Sequence, residues 1–206
     1  VGVNTKGLAA GTSTAAISAA MALMPLSFSY PPIPYLKFDL AEVPVFLALL
    51  GFGPLAGFLS ATVYFMALLL MGQFSPIGPL MKYAAVVSTF LGICAGAKLV
   101  NRYGRIKLAL AGTLGAALRI AVMTLLNYVV IVVLFPEFLE FAVGTLSAFM
   151  GTKLDPLTTG LLLVLAHTAI YNALHTLISV ALSVTVLKAV VAAGAPGPGW
   201  KPWISA

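Results

Sequence analysis

Apolar residues run along this chain in long blocks broken by short polar or proline-rich seams. Six blocks read as helical spans, at about 8–28, 41–52, 54–72, 79–99, 107–135 and 156–190. An apolar stretch of about 20 residues crosses a bilayer as a helix. No alternating dyads of the outer-membrane barrel type occur, so the pattern predicts an all-α integral membrane protein with one six-helix domain. The seams are distinctive. "YPPIPY" ends the first span, because proline cannot continue a helix. "GFGP" makes a tight turn after the short second span, and "KLVNRYGRIK" is a basic loop between the fourth and fifth. The segment 136–155 connects the fifth and sixth spans and has helical character of its own. The tail, 191–206, is rich in Pro and Gly and reads as mobile.

Composition agrees with a lipid environment. Of the 206 residues 61% are hydrophobic and 8% charged, with a mean hydropathy of +1.09. A water-soluble domain carries roughly 25% charged residues, so this chain cannot clothe a soluble fold of its length. The surplus of basic residues, net +6, reads as topology signal and implies no nucleic-acid partner. Lys and Arg gather on the cytoplasmic side. Lys98, Arg102, Arg105 and Lys107 therefore hold the loop between spans four and five inside. Six spans then put both termini in the cytoplasm, together with Lys6, Lys188 and Lys201. The acids Asp39, Glu42, Glu137, Glu140 and Asp155 all fall outside, so the charged strip "YLKFDLAEVP" is predicted as an external loop. No cleavable signal peptide is expected. A single cysteine, Cys94, leaves no disulfide and no multi-cysteine metal site.

Candidate chemistry lies at membrane depth. Arg119, Met123 and Asn127 repeat every four residues and share one stripe of the fifth span. Asn172, His175 and Ser179 share a face of the sixth, with His167 and Tyr171 on a neighbouring stripe. Polar groups there face a cavity or a partner. Either they line an outward-opening cavity, or the asparagines are interhelical glue and His175 is a satisfied core histidine. An asparagine amide offers a donor and an acceptor, which suits a planar heterocycle with alternating N–H and C=O groups. Tyr128, Tyr171 and Phe74 are candidate stacking faces, or else interfacial anchors. Small residues at Ala15 and Ala19, and at Ala16 and Ala20, form two adjacent ridges on the first span. They serve bundle packing or the docking of another membrane subunit. No phosphate-binding loop, zinc-protease motif or nucleophile elbow is present, and no catalytic constellation emerges. A binding cavity with no energy source implies a partner or passive transport.

These blocks together resemble the substrate-binding S component of energy-coupling factor (ECF) vitamin transporters, most closely its riboflavin-specific members. "YLKFDLAEVPVFLALLGFGPLAG" carries the most specific likeness, with "SPIGPLMKY", "MTLLNY" and the Asn172-Ala-Leu-His175 quartet behind it. The likeness covers about residues 8–190. It implies the S-component fold and a riboflavin site near the outer face, with FMN and analogues left open. Asn127, Asn172 and His175 would be ligand contacts, with Met123, Tyr171 and Phe74 beside them. The loop bearing Tyr35, Leu36, Lys37, Phe38 and Asp39 would cap the site. Ala15, Ala16, Ala19 and Ala20 would dock on an ECF module, a transmembrane coupling protein with two cytosolic ATPases. Riboflavin would be cargo and not a cofactor, and the chain would not be an enzyme. One departure stands out: His175 occupies the place where the riboflavin-specific members carry lysine. The alternatives are an S component for another vitamin or base, and an autonomous small-molecule transporter.

Overall fold

A computed structural model describes residues 5–24, 26–71, 75–100, 104–197 and 199–205. Among these, seven α-helices account for most of the chain: α1 (Thr5–Leu23), α2 (Glu42–Phe52), α3 (Pro54–Leu70), α4 (Ile77–Leu99), α5 (Arg105–Tyr128), α6 (Pro136–Met150) and α7 (Leu161–Ala192). Wider π-type turns extend α5 over Val129–Leu134 and precede α7 over Pro156–Gly160. Three helical stretches are long and apolar enough to cross a membrane: Ile77–Leu99, Arg105–Leu134 and Pro156–Ala192. The first three helices are apolar but shorter.

The all-α expectation needs one correction. The proline-rich seam is an antiparallel hairpin, β1 (Ser27–Tyr30) and β2 (Ile33–Asp39), with Phe28 opposite Phe38 and Ser27 opposite Asp39. Consequently α1 ends at Leu23, five residues before the expected end of the first span. Nor does the hairpin sit as a loop above the bundle. Tyr30 Oη meets His167 Nδ1 at 2.8 Å, Tyr171 donates to the Lys37 carbonyl at 2.6 Å, and His175 Nε2 lies 3.3 Å from the Asp39 carbonyl. These α7 partners span eight residues, a rise of about 12 Å, so β2 descends along α7 toward its middle. This explains the short second helix. Eleven residues of α2 rise only about 16 Å, and β2 adds about 23 Å at strand spacing. Strand and helix together have the length of a full crossing.

Five helices close a ring, in the order α2, α3, α4, α5, α7 and back to α2, with α1 packed outside α2 and α3. The α4–α5 contact is the closest. A Cβ on Gly92 would lie 2.3 Å from the Leu114 carbonyl oxygen, and one on Gly96 would lie 2.6 Å from Ala111 Cα. Glycines one turn apart therefore let the two backbones touch, as small residues do in lipid. At the α2–α3 turn, Gly53 adopts φ +98°, a conformation glycine tolerates best, with the Trp203 indole 3.2 Å from where a side chain would begin.

The buried interior divides in two. One cluster, built on Phe46, Leu49, Leu50, Phe90 and Ile93, fills the half nearer Phe52. The other, built on Ile33, Phe38, Val143, Leu146 and Val164, lies under the hairpin and α6. The tail departs from its mobile reading: Ile204 is fully buried in the first cluster, and Trp200 and Trp203 pack against it.

Candidate functional site

Between the two apolar clusters lies a layer of charge. Glu42, in the first turn of α2, is 0% exposed. It accepts a two-pronged bond from Arg119: Nη1 to Oε2 at 2.8 Å and Nη2 to Oε1 at 3.2 Å. Arg119 also donates from Nε to Asn172 Oδ1 at 3.0 Å and from Nη2 to His175 Nδ1 at 3.1 Å. The ring's other contacts are Tyr171 Oη, 3.0 Å from Nδ1, and the Asp39 backbone at Nε2, with the Asp39 N–H donating at 3.2 Å and the carbonyl oxygen 3.3 Å away. Asp39 makes the second ion pair. Its Oδ1 accepts from the Ala41 amide at 2.8 Å, at the start of α2, and its Oδ2 from Tyr64 Oη at 2.7 Å and from Lys82 Nζ. Two acids thus face two bases, with every carboxylate oxygen engaged. The solvated-loop placement expected for Asp39 and Glu42 does not hold. Both are buried, because Arg119 and Lys82 project into the interior and an unpaired charge there is very costly.

A cavity of about 510 Å3 opens beside this layer. Its walls come from β2 (Tyr35, Leu36, Lys37), α3 (Leu68, Met71), the start of α4 (Ile77, Gly78, Pro79, Met81, Lys82), α5 (Arg119, Met123, Asn127) and its extension (Val130, Ile131), α6 (Phe138, Phe141) and Tyr171. Its volume falls in the range of small-molecule sites, roughly 300–1,000 Å3. The lining is mostly apolar and aromatic, and its charged members are three cations, Lys37, Lys82 and Arg119. The i, i+4 stripe of α5 runs along the cavity from Arg119 to Asn127, about 12 Å by helical rise. Asn127 donates from Nδ2 to the Met123 carbonyl at 2.7 Å, which leaves Oδ1 as an acceptor.

The candidate residues separate accordingly. Tyr35, Leu36, Lys37, Met123, Asn127 and Tyr171 line the cavity. Asn172, His175, Phe38 and Asp39 do not. The Asn172 amide is committed at both ends, Oδ1 to Arg119 and Nδ2 to the Thr168 carbonyl at 2.9 Å. Both ring nitrogens of His175 are engaged, Nδ1 by Arg119 and Tyr171 and Nε2 by the Asp39 backbone. Phe38 packs into the apolar cluster with Tyr30 and Tyr171, and Asp39 holds Lys82. Phe74 lies outside the described residues. On α1, Ala15 is buried in the bundle, Ala19 is half-buried, and Ala16 and Ala20 are exposed. The small-residue ridges are therefore divided between inside and outside. Sequence reasoning missed Lys82 and Tyr64, and it did not join Glu42 to Arg119. The available signal was Arg119 itself, since a central arginine requires an acid and Glu42 opens the short second helix.

The comparisons with known proteins agree with this architecture. The riboflavin transporter FmnP of Bacillus subtilis (strain 168) is 34% identical over 126 residues, 60% of this chain. The aligned part spans 66% of that relative's length, just under two thirds. No solved structure matches the chain. A family model described as "ECF transporter, substrate-specific component" matches residues 13–193. A match over that length, on a chain of apolar helices enclosing a ligand-sized cavity, identifies a multi-pass prokaryotic membrane protein, a transport subunit and not an enzyme: the chain belongs to the substrate-specific components of ECF transporters.

Proposed function

We propose that this chain captures riboflavin at the outer face of the membrane and releases it inward in complex with an ECF module. In this reading six spans cross the bilayer, both termini are cytoplasmic, and the first two spans are each a helix continued by a strand of the hairpin. The observation that carries the ligand assignment is the cavity. It is lined by aromatic, methionine and aliphatic side chains, polar at both ends of the α5 stripe, and at about 510 Å3 large enough for a tricyclic vitamin. The likeness to a riboflavin transporter supports it. Asn127, Tyr35, Leu36, Lys37, Met123 and Tyr171 are the residues in position to contact the ligand. Asn172 and His175 act through Arg119, which they orient. The hairpin and α6 form part of the cavity wall through Tyr35, Leu36, Lys37, Phe138 and Phe141, so in this reading they flank the vitamin's way in.

Purified protein from a flavin-containing host should be yellow. Titration after removal of bound flavin should quench riboflavin fluorescence, with pantothenate and thiamine failing to compete. A colourless preparation that binds pantothenate or thiamine would reassign the vitamin. Uptake by the isolated chain in liposomes, without ATPase partners, would instead make it an autonomous transporter.

A further inference from the structure

The deep end of the cavity has a chemistry of its own. Arg119 has five N–H groups, and four are taken: Nε by Asn172, Nη1 by Glu42, and Nη2 by Glu42 and His175. One N–H of Nη1 is left without a partner among the described residues, on a side chain that lines the cavity. Lys82 also lines it; its ammonium bonds Asp39 and lies 5.9 Å from the Tyr64 ring centroid, and so retains donors. Neither side chain has a lone pair, and the acids that neutralise them stand behind, outside the lining. At the other end of the α5 stripe, Asn127 presents an acceptor.

We propose that Arg119 and Lys82 form a donor-only recess that reads an acceptor-rich carbonyl edge of the ligand. The inference rests on the flavin reading and gives it a direction: the pyrimidinedione end enters first, toward the charged layer, and the polyol chain points toward Asn127 and the hairpin. A hydroxylated chain is the poorer occupant of the recess, because each of its hydroxyls brings an O–H that needs an acceptor, whereas the dione sets two carbonyl acceptors against a single N–H. Charge balance adds a constraint. With Asp39 and Glu42 already offsetting Lys82 and Arg119, the recess suits a neutral group better than a multiply charged anion.

The test pairs two ligands with two variants. Lumiflavin keeps the dione and lacks the ribityl chain. Lys82→Met removes one donor while Asp39 retains Tyr64 and the Ala41 amide. Arg119→Lys keeps a charge opposite Glu42 but gives up the spare N–H. Each variant should bind riboflavin and lumiflavin about 10- to 100-fold more weakly, by the same factor for both, as expected for a lost hydrogen bond to a charged donor. A loss confined to riboflavin overturns the orientation, since the chain would then occupy the recess. No loss for either ligand overturns the recess itself. Should the variants not fold, the unaltered protein decides: 2-thio- and 4-thioriboflavin, in which a weakly accepting sulfur replaces a carbonyl oxygen, should bind more weakly than riboflavin. Equal binding of both refutes the proposal. If wild-type protein binds no flavin at all, the vitamin assignment fails, and the dione assignment with it.

Discussion

At the scale of single residues, the charged layer is where stability and specificity meet. Glu42 and Arg119 are both within 2% of complete burial, and each is the other's main counter-charge. Removing one partner of such a pair leaves the other uncompensated, typically costing about 3–5 kcal/mol. Glu42→Gln is therefore expected to lower the unfolding temperature in detergent sharply, even without ligand; an unchanged melting curve would show that Arg119 finds another partner. The two asparagines should behave differently from each other. Asn172→Ala strands Arg119 Nε and should cost stability first, about 1–3 kcal/mol, with ligand affinity falling as Arg119 loosens. Asn127→Ala loses only a bond to its own helix and an acceptor on the cavity wall, so the apo melting temperature should hold while riboflavin affinity drops. Parallel melts and flavin titrations of both variants separate the roles; equal effects on both readouts would not fit this division. The sequence made these residues visible as polar groups at membrane depth. It did not show which amide faces the ligand, because steps of three and four fix a helical face but not what stands opposite. Asn127 and Asn172 are equivalent as pattern and become different only once Arg119 reaches across to one of them.

At the scale of elements, length and apolarity made the long helices legible, and seams of Gly and Pro marked where they end. The hairpin was not legible. "SFSY" is only four residues long, prolines fill the turn after it, and "IPYLKFD" carries a proline and lacks clean alternation, since β2 packs against α7, α6 and the cavity rather than having one wet face. Its strands become favourable only when tyrosine and histidine side chains from α7 meet them. The α4–α5 crossing shows the opposite case, a local sequence signal with a clear structural reason. Gly92→Ala should be destabilising by about 1–3 kcal/mol or more, because its Cβ would overlap the Leu114 carbonyl. Gly112→Ala on α5 meets nothing within 4 Å, so it should be neutral or slightly stabilising through better helix propensity. Thermal unfolding of the two variants side by side checks the crossing; similar melting temperatures would mean that the helices do not approach as closely as described.

At the scale of the whole molecule, the cavity is walled by helices of the ring while α1 lies outside it, and under the proposed function this arrangement would separate binding from assembly. The face of α1 turned inward is committed: a Cβ on Gly11 would meet the Ala56 backbone at 3.1 Å, and Ala15 and Ser18 are buried. The face turned outward carries Ala16 and Ala20 beside Ile17, apolar and exposed, with no helix over it among the described residues. Small residues four apart permit a close approach by another helix, so if the proposed ECF module docks on α1, it has one ridge to use and not two. Ala16→Leu with Ala20→Leu should leave flavin affinity and the apo melting temperature unchanged and reduce co-purification with an ECF module and ATP-driven uptake. Ala15→Leu should instead damage the bundle, by about 1–3 kcal/mol for overpacking, and lower binding and assembly together. Measuring flavin affinity, melting temperature and complex yield for both sets distinguishes the two faces. If the Ala16/Ala20 variant still assembles and transports, the coupling subunit docks elsewhere. Loss of flavin binding in that variant would show instead that α1 is coupled to the cavity through the hairpin that directly follows it.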